Sequence, residues 1–436
     1  MGADGSRDAR RVAFRVLAAC TRGQRLDRAL DTRAGALSPR DRHWVHALAY
    51  GVARLRGRLD YTIALHARRG PERLDAAVLD LLRMGAYQLH YMEGVPAYAA
   101  VSSTVELARA AGAGRAAGLI NAVLRASARA GSPADAFPSR ETDPEGHLTH
   151  WHSHPGWLVR RWLARWRATA TEALLRHDNG VPGLFFRPVG IEPEPALERL
   201  RAAGLTATAA GLGSGCLRLA AGTDPARVLG AVPGVIQDPG AALVARYAEP
   251  PPGALVADLC AAPGGKALVL SERAGYVLAA DLSPPRLKLL TGSALRLGAR
   301  VGAVVADAGA APVRRADLVL VDAPCSGTGT LARRPDVRWR LTETDPARMA
   351  GVQSRLLAGA SRAVSVGGLL VYSTCTLEPE ENVDVVEGFL SRHPEFRREA
   401  PEDMDPEVMD DRGHLCVLPQ STGFDGTFAA RMRRVR

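Results

Sequence analysis

Four things are scarce in this 436-residue chain, and each scarcity removes a class of reading. Cysteine is rare: the six positions are 20, 216, 260, 325, 375 and 416, with no CxxC pair among them. Neither a disulfide framework nor a zinc site is expected from that spacing. Lysine is nearly missing, with Lys266 and Lys288 the only two. No apolar run approaches the roughly 18 residues needed to cross a bilayer. The first segment, Met1–Arg11, is polar and has no signal-peptide core. These absences lead to the expectation of a cytoplasmic protein with no metal and no membrane attachment.

What is present is globular. Hydrophobic residues make up 47% and charged residues 23% of the chain, enough for two or three domains with real cores. The net charge is +10, which suits a polyanionic partner. Residues 1–150 hold 22 arginines against 15 acidic residues. The arginine fork matches phosphate geometry. Abundant Ala, Gly and Arg can also reflect genomic base composition, so the arginine excess carries little alone. A lysine kept inside a glycine turn, Lys266, is harder to dismiss.

Read in order, residues 6–130 form an all-helical domain. Val78, Leu81, Leu82 and Leu89 recur at helical spacing, and Ser38-Pro-Arg-Asp41 reads as an N-cap followed by proline. Arg54, Arg56 and Arg58 are candidates for phosphate contact, with a solvated charged face as the plainer alternative. Residues 131–150 read as a linker. Residues 151–232 read as a small α+β subdomain, with Trp157, Trp162 and Trp166 packing a helix and the neighbouring arginines facing out. Residues 233–436 alternate strand, turn and helix, which argues for a doubly wound, mostly parallel α/β sheet.

The chemistry-bearing residues sit at the strand ends of that last region. Asp258, Asp281 and Asp307 end three successive strands or strand cores. In such sheets ligands lie outside the carboxyl ends of the strands, and the acid after the second strand accepts from ribose hydroxyls. The first turn, Pro263-Gly264-Gly265-Lys266, is not GxGxxG, so S-adenosylmethionine fits better than a dinucleotide. Asp307 is a candidate acceptor for an adenine amine. The plainer reading makes each acid a turn cap. The fourth strand ends in Asp322-Ala-Pro-Cys325-Ser-Gly, and the fifth ends in Ser373-Thr-Cys375-Thr. With strand order 3-2-1-4-5 both thiols face one crevice. A thiolate can add to C6 of a pyrimidine and make C5 nucleophilic enough to accept a methyl group. Asp322 could hold the base's Watson–Crick edge. Two buried apolar cysteines, or a regulatory disulfide, are the competing readings. Nothing in the spacing chooses which thiol attacks.

Ala262-Pro-Gly-Gly-Lys266, Asp322-Ala-Pro-Cys325-Ser-Gly, and Ser373-Thr-Cys375-Thr followed by Glu378-Pro-Glu-Glu-Asn382 together resemble the RNA 5-methylcytosine methyltransferases. Chain length and the helical N-terminus resemble the bacterial Sun/Fmu (RsmB-like) branch, which acts on small-subunit (16S) ribosomal RNA and carries a NusB-like domain. The resemblance implies a NusB-like 6–130, an RRM-like 151–232 and a Rossmann-like class I methyltransferase domain over 233–436. It implies Cys375 as nucleophile, Cys325 as helper of product release and Asp322 between cofactor and base. It implies an S-adenosylmethionine site of Cys260, Ala261, Ala262, Pro263, Gly264, Gly265, Lys266, Asp281, Asp307 and Asp322. Ribosomal RNA is the expected partner and a monomer the expected state. A non-catalytic antitermination-type RNA-binding factor and a transfer-RNA methyltransferase of the same family are the alternatives.

Overall fold

The computed structural model describes residues 3–68, 70–131 and 134–436, with side chains from residue 8 onward. Ser132 and Pro133 of the expected linker lie outside the described residues. The chain divides into two compact units: Met1–Val181 with Leu331–Leu341, and Pro182–Thr330 with Thr342–Arg436.

The first unit is helical. Ser38 caps the helix Pro39–Arg54 by accepting from the Asp41 amide at 3.1 Å, with Pro39 at the first turn. The apolar stripe of Ala76–Tyr91 buries Leu81 and Leu82 completely against Leu48 and Leu124. Arg83 is buried beside Asp60, at 2.6 and 2.8 Å, and Asp80, at 3.0 Å. Burial alone would lower its guanidinium, but the two carboxylates win and the net shift is upward. Trp162 is fully buried, as its helical spacing predicts, while Trp157 and Trp166 are half-buried. The helix Gly156–Asn179 is broken at Trp166 and Arg167, where φ reaches +53°. Arg338, from the returning segment Leu331–Leu341, is fully buried and donates to Ser153 O (3.1 Å), Asn179 Oδ1 (2.8 Å) and Asp178 O (2.9 Å).

The candidate phosphate-binding arginines make contacts inside this unit. Arg56 lies 5.4 Å from the Trp339 ring centre, and Arg58 lies 4.0 Å from that of Trp151 while its Nε donates to Trp151 O. Arg54 donates to Ala332 O at 3.4 Å. Stacking on indole and bonding to carbonyls leave these cations half-buried, so the charged run is not an open phosphate-facing edge.

The second unit holds two sheets. Strands β1 (Phe185–Pro188), β2 (Ala207–Ala209), β3 (Leu217–Leu219) and β4 (Gly234–Ile236) form an antiparallel sheet ordered β2-β3-β1-β4. Its apolar face, with Phe186, Leu217 and Leu219, buries Leu200 and Val228 of two helices. Because β4 pairs with β1, this sheet runs past residue 232, where the sequence boundary was drawn.

The large sheet contains β5 (Leu255–Asp258), β6 (Tyr276–Asp281), β7 (Val301–Val305), β8 (Ala316–Asp322) and β9 (Val364–Thr374). They lie in the order β7-β6-β5-β8-β9, all parallel, which is 3-2-1-4-5. Three antiparallel strands close the far side: β10 (Phe396–Glu399), β11 (Leu415–Val417) and β12 (Thr427–Arg434), with β12 on β9. Alternate residues of β8 serve two cores. Leu318 and Leu320 pack on one face, Val319 and Val321 on the other, as a doubly covered sheet requires.

Helix Asp345–Ser361 crosses the 3₁₀ turn Ala308–Ala310 so closely that a Cβ on Gly359 would lie 2.3 Å from Gly309 O. Gly359→Ala gains about 1 kcal/mol of helix propensity. The overlap is with backbone, which cannot swing aside, so a net loss of roughly 1–3 kcal/mol is expected in urea unfolding.

Among the described residues no helix is long and apolar enough to cross a membrane.

Candidate active site

The site is built where β5, β6, β8 and β9 end. After β5 the chain turns through Leu259–Gly264, tied down by Leu259 N to Leu320 O and Ala261 N to Ala280 O, each 2.9 Å. Gly264 has φ +113°, and a Cβ there would sit 2.7 Å from Leu290, so only glycine makes this turn. Gly265 then opens the short helix Gly265–Leu270, with the Gln237 side chain close beside it.

Asp281, at the end of β6, accepts from Ala262 N (3.1 Å) and Ser283 N (2.9 Å). It therefore ties the glycine loop to the second strand, and with Arg286 3.7 Å away it keeps acceptor capacity beyond its two backbone donors. Asp307 follows β7, is exposed, and accepts from Gly309 N at 2.8 Å. The plain reading of Asp307 as a cap is thus physically realised.

The register of β8 on β9 sets Asp322 opposite Ser373. Asp322 accepts from Lys266 Nζ at 2.8 Å and from Ser373 Oγ at 2.7 Å. Burial would lower the Lys266 ammonium, but Asp322 outweighs burial and raises it, with Cys375 and Asp258 adding to the rise. Lys266 therefore stays a cation at the junction of first and fourth strands. This explains why a nearly lysine-free chain keeps one here.

The thiols meet. Cys325 Sγ lies 3.3 Å from Cys375 Sγ. The Cys325 thiol is pushed well above its ordinary range, first by its hydrogen bond to Cys375 and then by burial. The Cys325 thiol is thus the harder to ionise, with the Cys375 sulfur within hydrogen-bonding reach. By contrast Cys20 and Cys216 are pushed up to about 12 by burial, which matches their reading as small apolar residues. Cys260 is also raised, by burial first and then by the neighbouring acids.

Three residues matter that their sequence positions only hinted at. Asp258 is completely buried, and neither carboxylate oxygen has a hydrogen-bond partner of acceptable geometry. Burial, then Asp322, push it up to about 7, while Lys266 and the Cys260 amide pull the other way. Ser373 is the neutral hand on Asp322. Glu381, in the acidic stretch after Cys375, is fully buried beside both thiol loops.

Together these groups fit a cationic nucleoside ligand such as S-adenosylmethionine. A glycine-walled loop leaves room for backbone approach. Three acids, Asp258, Asp281 and Asp322, gather here with two cations, Lys266 on Asp322 at 2.8 Å and Arg286 at 3.7 Å from Asp281, while burial pushes Asp258 up to about 7. Elsewhere, His147, His152 and Glu172 bring one ligand atom each within 4.8 Å of one another. Glu172 is already paired with Arg140 at 2.8 Å and Arg176 at 2.5 Å, which supplies its compensating charge.

Comparison with known proteins gives the family and the fold. The family described as 16S rRNA methyltransferase RsmB/F matches residues 245–433, and the NusB family matches residues 7–129. The chain is 35% identical over 430 residues to the ribosomal RNA small subunit methyltransferase B of Thermus thermophilus, covering 98% of both chains. It is 34% identical over 421 residues to the probable ribosomal RNA small subunit methyltransferase B of Bacillus subtilis, covering 92% of both. Among solved structures, PH0851 shares the fold with a TM-score of 0.79 at 23% identity, covering 98% of both chains. NSun6 from Pyrococcus horikoshii with SFG has a TM-score of 0.55 at 19% identity, covering 66% of this chain and all of that one.

Proposed function

Since the chain belongs to the RsmB/F family of 16S ribosomal RNA methyltransferases, we propose that it methylates C5 of a cytosine in small-subunit ribosomal RNA through a covalent adduct at C6. The observation that carries this reading is the 3.3 Å thiol pair beside the Asp322–Lys266 ion pair.

Cys375 attacks C6 as a thiolate. Cys325 supports that state by keeping its own proton and directing it at the Cys375 sulfur, and Lys266 adds positive potential. Asp322, held on both oxygens, orients the Watson–Crick edge of the base and favours its protonation as the ring is attacked. S-adenosylmethionine, when bound, supplies the methyl group that the activated C5 accepts. In the elimination the C5 proton passes to solvent water, the C5–H electron pair re-forms the C5–C6 double bond and Cys375 leaves as a thiolate; Cys325 assists by donating a hydrogen bond to the departing sulfur. The loop Cys260–Lys266, Asp281, Asp307 and Asp322 hold the cofactor. Residues 6–130 and the small antiparallel sheet at 185–236 serve to bind RNA, the large sheet from Leu255 onward carries the methyl transfer, and the protein works as a cytoplasmic monomer.

The test is incubation of undermodified 16S ribosomal RNA with enzyme and methyl-labelled cofactor. Recovery of label as 5-methylcytosine supports the reading; label in any other nucleoside, or none, overturns it. A narrower expectation concerns Asp281. Asp281→Asn turns an N–H against one of its two backbone donors and weakens ribose acceptance. Cofactor affinity by calorimetry is expected to fall about 10- to 100-fold, the scale of one or two buried hydrogen bonds.

A further inference from the structure

The acidic stretch Glu378-Pro-Glu-Glu-Asn382 has no part in the chemistry above, yet one of its carboxylates is saturated. Glu381 Oε2 accepts from the Ser326 amide at 2.9 Å and from Gln353 Nε2 at 2.9 Å. Its Oε1 accepts from Thr376 Oγ1 at 3.0 Å and from Ser326 Oγ. Its backbone carbonyl accepts from Tyr372 OH at 2.5 Å. Ser326 directly follows Cys325, and Thr376 directly follows Cys375. Asn382 adds a second tie, donating to Thr376 O at 2.9 Å.

Two facts separate this acid from a catalytic one. A carboxylate has about four acceptor sites, and four donors fill them, so none is left for substrate. Its side-chain partners are all neutral, and a buried charge without a cation is costly unless its hydrogen bonds are complete. Burial does raise the Glu381 carboxyl, with the Ser326, Gln353 and Thr376 donors opposing it. A side chain wanted only for packing would be apolar. A planar group with two oxygens, by contrast, can grip two loops at once.

We infer that Glu381 is the positioning residue that fastens the Cys325 loop and the Cys375 loop to one carboxylate and so sets the distance between the two sulfurs. It would keep attack and release in register, and in that respect the inference rests on the two-thiol reading of the site. The sulfur separation itself does not.

The experiment uses the full-length, cofactor-free protein and a short bifunctional thiol reagent, with a monofunctional reagent as reference. The wild-type chain is expected to give a Cys325–Cys375 crosslink, located by peptide mass spectrometry. Glu381→Ala is expected to lower crosslinking relative to single alkylation at least about tenfold, since several buried donors lose their acceptor together. Glu381→Gln should stay near wild type, because its amide can turn to the two hydroxyls, which can accept, while its carbonyl keeps the two N–H donors. If Glu381→Ala does not fold, Thr376→Val, which cuts one arm only, carries the same expectation. With RNA and cofactor present, Glu381→Ala should slow adduct release more than adduct formation. Unchanged crosslinking in Glu381→Ala or Thr376→Val overturns the inference, as does an equal loss in Glu381→Gln and Glu381→Ala. A crosslinking pattern as expected, with no RNA adduct in any variant, would instead defeat the two-thiol mechanism and leave the bracket standing.

Discussion

Cys375→Ala is expected to abolish both the covalent RNA adduct and methyl transfer, by at least about 10⁴-fold, the scale on which enzymes lose a nucleophile. Cys325→Ala is expected to do the opposite to the adduct, which should form and then accumulate. The asymmetry comes from the contact between the sulfurs. Cys325 is the thiol made harder to ionise, and its first-ranking influence is the contact with Cys375 at 3.3 Å. The ammonium of Lys266, held by Asp322 and raised in small part by Cys375, would favour a thiolate at that position. A denaturing gel of enzyme mixed with labelled RNA and cofactor reads both outcomes. Accumulation in Cys375→Ala and none in Cys325→Ala would reverse the assignment of the two thiols.

The second large effect belongs to Asp258. Its carboxyl lies near 7 in the folded chain against an ordinary 3.8, chiefly through burial and then through Asp322. A folded-state value raised above the unfolded one means that the folded chain holds the proton more tightly. The associated stability is complete below about pH 4 and is lost as pH climbs through about 7. The neutral isostere Asp258→Asn has no charge to bury. It is expected to be more stable than wild type at pH 8, by up to roughly 4 kcal/mol, with the gap closing as pH falls toward 4. Urea unfolding of the cofactor-free proteins at several pH values checks this. Parallel curves for the two proteins would show that Asp258 finds a partner in solution. The same substitution should weaken binding of a sulfonium ligand, since stability and unmatched negative charge trade against each other at this residue.

Much of the catalytic unit was legible because strand ends are punctuated in the sequence. Each parallel strand is a short apolar run followed by an acid or a glycine turn, and that rhythm marks a doubly wound sheet, whose order 3-2-1-4-5 the fold then supplies. The meeting of Cys325 and Cys375 follows from adjacency of the fourth and fifth strands. The choice between them does not, because it depends on how the contact between the thiols and their burial bias the two ionisations. The roles of Arg54, Arg56 and Arg58 were not legible either. Whether an arginine faces solvent or stacks depends on Trp151 and Trp339, which are remote in sequence, and no local pattern announces them. Glu381 was visible only as part of an acidic run. Its burial became apparent when Ser326, Gln353 and Thr376 were seen to converge on it. The apolar runs of β11 and β12 were legible as strands, whereas β10, at the sheet margin, was not. Antiparallel strands at a sheet margin have no crossover helix to mark them.

The return of Leu331–Leu341 to the helical unit has a consequence for how the protein is made. A ribosome finishes Val181 with Ser153 O, Asp178 O and Asn179 already translated but Arg338, their buried partner, not yet synthesised. About 160 further residues must be translated first, which at 5–20 residues per second is roughly 10–30 s. During that wait the earliest-made part of the chain carries an unfilled slot. Its last packing step belongs to the second half of synthesis, and a gene fragment stopping at residue 181 would never reach it.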